Sequence, residues 1–305
     1  MEATCDIRPW DELIPDALGL IFMKLSLHER LNVIPMVCPS WNNVVKGPNC
    51  WEEIDINHDF SSRYEPHQIE SLVQMLIARS SGSLRKLRVY ELQTEKIFTF
   101  IAENAGGNIQ NLGLPRCNLN DFTVKQITEK LSMITILDLS YCMKISINAI
   151  ETIGKNCKHL EVFSRKMHPS DTSVMPDENV EAFAIASTMP KLKHLEIPYN
   201  RVNNDGIKKI LSSCPNLECL DLRGCWNVKL DEMNVNENFP NVQILGPQVL
   251  GYYEMIDSSD SSDFEFDDDD IYEFYFNGGI WSDEEGFDEL ENRVDDEEED
   301  IDGWN

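Results

Sequence analysis

Residues 14 to 51, IPDALGLIFMKLSLHERLNVIPMVCPSWNNVVKGPNCW, concentrate large apolar side chains in three short helical patterns. A first helix is predicted because apolar residues follow one another at helical intervals, namely Ile14, Leu18, Ile21, Phe22 and Leu25. Ser26 and Glu29 then form an S-x-x-E pattern, which predicts the start of a second helix. Three helices of this size cannot bury so many large side chains among themselves, so we expect an exposed apolar surface of the kind that marks a docking site.

The second helix is expected to turn Leu31, Ile34 and Val37 inward, and Pro39 is expected to open the third helix. Pro35 lies inside the second helix, where a proline removes one backbone hydrogen bond. A kink is therefore predicted at this point of the backbone.

The spacing of these residues closely resembles the F-box, a three-helix module that docks on a Skp-family adaptor of cullin–RING ubiquitin ligases. The family pattern has Leu-Pro, Leu, Ile-Phe, Leu, Val-Cys and two tryptophans, and Ile14 stands in place of its first leucine. The resemblance implies an adaptor-binding surface formed by Ile14, Pro15, Leu18, Ile21, Phe22, Leu25, Val37 and Trp41. The alternative is that the helices only cap the next domain.

A second pattern, L-x-x-L-x-L, recurs through the middle of the chain. Its first positions fall at 84, 109, 134, 160, 192, 217 and 242, so that all steps are 25 or 26 residues except one of 32. Trp51, Ile54 and Ile56 fit as an irregular opening unit. Because one such unit cannot bury its own apolar side, stacked units must share a core.

This ladder resembles cysteine-containing leucine-rich repeats, because one turn position carries Cys117, Cys142, Asn200 and Cys225. The fold class implied is α/β: an N-terminal F-box, then a horseshoe of about six or seven repeats with a parallel sheet, then an acidic tail. We expect the cysteines to pack in the core, since no C-x-x-C or H-x-x-x-H spacing supports a metal. No cofactor is expected either.

The outward residues between the leucines should line the concave sheet, and Arg and Tyr are enriched at interface hot spots. On this basis the predicted substrate-binding residues are Arg88, Tyr90, Arg116, Tyr141, Arg165, Tyr199 and Arg223. The recruited protein should then offer acidic or aromatic groups, although such residues are also common on any solvated sheet. Residues 164 to 178, inside the 32-residue step, are interpreted as an extended loop, either a binding element or a tolerated insertion.

Charge is distributed unevenly along the 305 residues. Residues 251 to 305 carry 23 acidic residues and one basic residue, Arg293, which leaves a net charge of −6 for the other 250 residues. The predicted domains are therefore 1–56 (F-box), 57–250 (repeats) and 251–305 (a disordered acidic, aromatic tail). The tail is interpreted as solvated, as a ligand for a basic partner, or as a segment that folds back on the repeats.

Several functions are not expected. A basic stripe for nucleic acid is absent, apolar runs are too short to span a membrane, and no catalytic motif is present. Nine cysteines without close pairs favour a reducing setting in the nucleus, the cytoplasm or both.

The whole chain resembles plant F-box/LRR-repeat proteins of the Skp-interacting type. This resemblance implies a non-catalytic subunit that binds a Skp-family adaptor, and through it a cullin–RING ligase, and recruits an unknown protein substrate. The alternatives are an acidic leucine-rich nuclear protein that acts as a histone chaperone, and a scaffold that has lost its coupling to a ligase.

Overall fold

The computed structural model describes residues 13–167, 179–230 and 238–248. All of them belong to one compact unit, Met1–Ile256. The predicted disorder and partners of residues 251 to 305, and most of the predicted loop at 164 to 178, lie outside the described residues.

The N-terminal region forms three short helical segments, as predicted. Its elements are α1 (Pro15–Phe22), a π-helical turn (Glu29–Val33) that runs into α2 (Ile34–Val37), α3 (Pro39–Lys46) and a 3-10 turn (Pro48–Cys50). The predicted capping pattern is confirmed, since the Ser26 N–H donates to Glu29 Oε2 at 2.9 Å and the Glu29 N–H donates to Ser26 Oγ at 3.2 Å. These reciprocal bonds satisfy amide groups that a helix start leaves unpaired.

The disturbance predicted at Pro35 takes the form of a widened turn. Directly before the proline, the Ile34 N–H donates to the Glu29 carbonyl, five residues earlier instead of four. The missing N–H of Pro35 and the bulk of its ring therefore fall where the regular helical ladder is already interrupted.

The solenoid sheet contains eight parallel strands across the described residues, each hydrogen-bonded to the next in chain order. The strands are β1 (Glu53–Ile56), β2 (Lys86–Val89), β3 (Asn111–Gly113), β4 (Ile136–Asp138), β5 (Val162–Ser164), β6 (His194–Glu196), β7 (Cys219–Asp221) and β8 (Gln243–Leu245). Ile54 pairs with Leu87, which confirms the irregular opening unit. The predicted start of the last unit at Val242 was off by one residue, because Ile244 and not Leu245 lies opposite Leu220.

Helices return the chain along the other side of the sheet. They are α4 (His58–Ser61), α5 (Pro66–Ser80), α6 (Glu95–Asn104), α7 (Asp121–Thr128), α8 (Ile147–Asn156), α9 (Val180–Thr188) and α10 (Asn204–Ser213). Adjacent units are tied together at the helix starts, where Thr94 and Asn120 bond to the acids Glu70 and Glu95 of the preceding helices at 2.8 Å.

The shared turn position repeats one hydrogen bond from unit to unit. The side chains of Cys142, Asn200 and Cys225 donate to the carbonyl at the third position of the L-x-x-L-x-L pattern in the preceding unit, at 3.0, 2.8 and 3.2 Å; these carbonyls belong to Leu114, Arg165 and Ile197. The expected role of these residues as buried packing and turn-satisfying groups is confirmed.

Trp51 joins the N-terminal helices to the first repeat. Its ring is fully buried, and its Nε1–H donates to the Val45 carbonyl of α3 at 2.8 Å. The guanidinium groups of Arg30 and Arg79 lie 5.1 and 5.7 Å from the ring, one from the π-helical turn and one from α5. A single hydrophobic core therefore continues from the N-terminal helices into the repeats.

Candidate protein-interaction surfaces

The N-terminal helices leave a set of large apolar side chains in solvent. We call this set the N-terminal apolar residues: Leu13, Ile14, Leu20, Ile21, Val33, Met36 and Val37. Ile14 is 67% exposed and Met36 is 83% exposed, so both are mostly in contact with solvent. Pro15 is exposed beside them at the start of α1. Apolar groups left in water on so small a module are typical of a surface that a partner covers.

Two of the predicted adaptor-binding residues belong to the core instead. Leu18 and Phe22 are each 1% exposed, and the Phe22 ring lies 5.1 Å from that of Trp41 on α3. The prediction of a docking role for Leu18 and Phe22 was therefore wrong, because α3 packs over the side of α1 that carries them. Leu25 and Trp41 are half-buried against the same core.

Val37, by contrast, was expected to face inward and is 52% exposed, which suits its assignment to the adaptor surface. Leu13, Leu20, Val33 and Met36 were not predicted. The signal for them was present, since they are apolar residues that do not fit the inward stripe of either helix.

The second surface is the face of the sheet that lies opposite the helices, which we call the open face. Strand residues alternate between the buried leucines and this face. Near its first strands, the Arg88 stem lies flat across Gly113, where an added Cβ would come within 2.9 Å of Arg88 Cγ. Arg88 Nη2 donates to the Tyr90 hydroxyl at 2.6 Å and lies 3.8 Å from Asp138 Oδ2. The glycine thus lets one guanidinium span two strands in a fixed position.

A second guanidinium, that of Arg116, lies at the turn that follows the strands. It is 3.6 Å from Glu91 Oε1 and 5.6 Å from the centre of the Tyr141 ring. His58 Nε2 lies 3.7 Å from the same Glu91 oxygen. Arg88, Tyr90, Arg116 and Tyr141 therefore belong to one charged and aromatic region, although Tyr90 is only 8% exposed and contributes little free surface.

The later repeats carry further ion pairs on this face. Lys166 Nζ lies 3.0 Å from Glu196 Oε2, which also accepts from Ser164 Oγ at 2.8 Å. Burial acts to raise the pKa of Glu196, but the Lys166 charge and these hydrogen bonds outweigh it, so the pKa is lowered. Arg223 bonds both carboxylate oxygens of Asp221, and this bond raises the pKa of Arg223.

Tyr199 lies over the next repeat. Its Cδ1 would be 2.2 Å from a Cβ added to Gly224, so the ring fills the space above that glycine. Like Arg116 and Tyr141, Tyr199 has a positive φ, near +59°, at the same turn position.

Arg165 does not lie on the open face, and its prediction as a substrate-binding residue was wrong. It is 2% exposed and follows Leu160 by five residues, the position that Leu139 holds in the preceding unit. Its guanidinium donates to the carbonyls of Leu139 (3.4 Å), Cys142 (2.9 Å) and Ile145 (3.4 Å). Nη2 also lies 3.4 Å from Oε1 of the buried Glu181, so the arginine replaces a leucine in the core and is held by an ion pair.

The described residues give little support to a metal-binding cluster, a reactive core cysteine or a membrane-spanning helix. The described residues contain no group of three or more His, Cys, Asp or Glu that could hold a metal ion. Burial raises the pKa of Cys142 and of Cys225 to about 12, which disfavours the nucleophilic thiolate. Within the same part of the chain, no helix is both long and apolar enough to cross a membrane.

Comparison with known families finds two domain models in this chain. The F-box domain model matches residues 10–53, which contain the N-terminal apolar residues, and a Leucine Rich repeat model matches residues 188–211. The F-box protein FBW2 of Arabidopsis thaliana is 50% identical over 288 residues, which cover 90% of each chain. The chain belongs to the F-box protein family.

Other Arabidopsis relatives place this F-box protein among the members that carry leucine-rich repeats. F-box protein SKIP19 is 30% identical over 92% of this chain and 94% of its own. Putative F-box/LRR-repeat protein 23 is 32% identical over 73% of this chain and 50% of its own. The predicted family and the predicted order of F-box and repeats are thus confirmed.

Proposed function

We propose that this F-box protein is the substrate-recognition subunit of a Skp–cullin–F-box ubiquitin ligase. The N-terminal apolar residues dock a Skp-family adaptor, and the open face of the repeats binds a protein substrate. The chain itself performs no catalytic step. It raises the effective concentration of the substrate near the ligase, in the nucleus or the cytoplasm.

The observation that carries this proposal is the exposure of the N-terminal apolar residues on helices that match the F-box domain. Ile14, Pro15, Ile21 and Val37 are all exposed and remain the candidate adaptor contacts. When a partner covers such groups, each Å² of apolar surface removed from water stabilises the complex by about 25 cal/mol.

The substrate side of the proposal is supported by the fixed guanidinium and aromatic groups of the open face. Arg88, Arg116, Tyr141, Tyr199 and Arg223 are half-buried there and keep part of their surface in solvent. Side chains held in place before binding lose little conformational entropy when a partner arrives.

The test is the affinity of the full chain for a Skp-family adaptor, measured by titration calorimetry. We expect the double variant Ile14→Ala, Pro15→Ala to bind about 2–4 kcal/mol more weakly, because it removes the highly exposed Ile14 side chain at the start of α1 and the exposed proline beside it. Phe122→Ala is the matched control, since Phe122 is also an exposed apolar residue but lies on α7. Equal affinity for the double variant and the wild type, with equal melting temperatures, would show that the docking surface lies elsewhere.

The histone-chaperone alternative is less well supported. That family has no F-box, whereas residues 10–53 match one. Co-purification with histones in preference to a Skp-family adaptor would favour it again.

A further inference from the structure

At the centre of the open face, two neighbouring strand residues are aliphatic. Along the first outward column of the sheet, the paired residues are Glu53, Lys86, Asn111, Ile136, Val162, His194, Cys219 and Gln243. Ile136 and Val162 are direct neighbours on β4 and β5, and they are the two aliphatic members of this column. Both are half-buried, yet neither packs against the hydrophobic core of the chain.

Charged groups lie on both sides of these two residues and are already paired. The pair Lys86–Glu53 lies toward the first strands, and so does Arg88, whose partner Asp138 is on β4 two residues after Ile136. Toward the last strands lie the pairs Lys193–Glu161, Lys166–Glu196 and Arg223–Asp221. Five basic and five acidic residues give a net charge of zero for these pairs. An apolar centre inside a polar rim is the anatomy of a protein–protein interface.

The positions beside the two aliphatic residues are low and already covered or bonded, since the Arg88 stem lies over Gly113 and Ser164 Oγ donates to Glu196. Gly113 on β3 and Ser164 on β5 occupy the next outward column, on either side of Asp138. Strands lie about 4.8 Å apart, so Ile136 and Val162 together offer a platform the width of one large side chain.

We propose that Ile136 and Val162 form the anchor point of the substrate site, and that they take an uncharged aliphatic or aromatic side chain from an extended segment of the substrate. This inference rests on the proposed function and specifies its substrate class. A charged side chain would have to lose its hydration beside groups that already have partners, whereas an apolar one gains by leaving water. The rim pairs then act by excluding water and by rejecting partners with uncompensated charge.

The experiment selects short random-sequence peptides, displayed on phage, for binding to the full chain. We expect the selected peptides to share an apolar residue and to carry a net charge near zero. Fluorescence anisotropy with synthetic copies should show affinity at least about tenfold lower for Ile136→Lys and Val162→Lys, the loss typical of a hot-spot residue. Val162→Thr, which keeps the shape of the side chain, should weaken binding in the same direction if a lysine variant fails to fold.

Gln243→Lys is the matched control, because it adds the same charge to an exposed position of the same column on β8. The inference is overturned by failure to select any binding peptide, by peptides that bind the Ile136 and Val162 variants as well as the wild type, or by an equal loss in Gln243→Lys. Selection of acidic peptides that depend on Arg116 would also overturn it. Adaptor affinity separates the two proposals: a wild-type chain that does not bind a Skp-family adaptor defeats the proposed function, whereas Ile136 and Val162 variants that bind the adaptor and the peptides as well as the wild type does defeat this inference alone.

Discussion

Arg165 offers the sharpest test of the packing described above. Arg165→Leu restores the apolar residue that the repeat pattern requires, and a consensus argument alone would predict a more stable protein. The structure predicts the opposite. Removal of the guanidinium leaves Glu181, whose side chain is 10% exposed, as a buried carboxylate without its ion-pair partner.

Breaking one side of a buried ion pair costs about 3–5 kcal/mol, and we expect Arg165→Leu to lower the free energy of unfolding by that amount. The double variant Arg165→Leu, Glu181→Leu removes both charges. It should recover to within about 2 kcal/mol of the wild type, because the carbonyls that bonded Arg165 still lose a donor. The coupling energy between the two positions should therefore exceed about 1 kcal/mol.

The measurement is urea unfolding of the full chain, followed by circular dichroism and by tryptophan fluorescence to check that both report one transition. Lys193→Leu is the control, since Lys193 and Glu161 approach to 2.9 Å but both side chains are more than 40% exposed. An exposed pair contributes at most about 1 kcal/mol. The reasoning is refuted if Arg165→Leu is as stable as the wild type, or if the double variant is as unstable as the single one.

Two further predictions concern the turns of the repeats. Gly224→Ala should lower the free energy of unfolding by about 1–3 kcal/mol, because φ of Gly224 is +72° and the Tyr199 ring occupies the space that the new Cβ would need. Gly107→Ala is the control and should be nearly neutral in the same urea unfolding, since no heavy atom lies within 4 Å of a Cβ at that position. Comparable losses in the two variants would contradict this account. In native alkylation at pH 8 followed by mass spectrometry, Cys142, whose thiol has a pKa of about 12, should stay unmodified while the partly exposed Cys38 reacts. Rapid labelling of Cys142 in the folded protein would show that this turn opens readily.

The leucine-rich repeats were predictable because the same spacing of apolar residues occurs in one unit after another. Each unit places leucines at the same offsets, so an error in one unit is corrected by its neighbours. The last unit shows the limit of this rule. Val242 and Leu245 fit the leucine template, but hydrogen bonds to β7 align Ile244 with Leu220, and the sequence alone does not distinguish two adjacent apolar residues.

Arg165 was misplaced for a different reason. It was assigned to the outward register with the other Arg and Tyr residues, although its distance of five residues from Leu160 put it in an inward position. The partner that makes this burial tolerable, Glu181, lies 16 residues later in the chain. A pattern of single residues does not reveal such a pair, because the two positions meet only when α9 packs on the preceding unit.

The N-terminal helices show the same dependence on tertiary packing. Periodicity identified the apolar residues of α1, but which of them dock on a partner depends on where α3 lies. α3 covers Leu18 and Phe22 and leaves Ile14 and Ile21 in solvent. Which apolar residues form the core and which form the docking surface thus depends on how the helices pack. The sequence shows only that the module has more apolar side chains than it can bury.

The junction at Trp51 connects the two proposed activities. β1 begins at Glu53, two residues after this tryptophan, and Arg30 of the N-terminal helices donates to the Glu53 carbonyl at 3.2 Å. The first strand of the sheet is therefore continuous with the helical module, without a flexible linker between them. A flexible linker would lower the effective concentration of a bound substrate at the ligase, and its absence here fixes the position of the open face relative to the adaptor surface. The position of the open face relative to the adaptor surface then depends on the packing around the buried Trp51 ring, which the guanidinium groups of Arg30 and Arg79 approach to 5.1 and 5.7 Å.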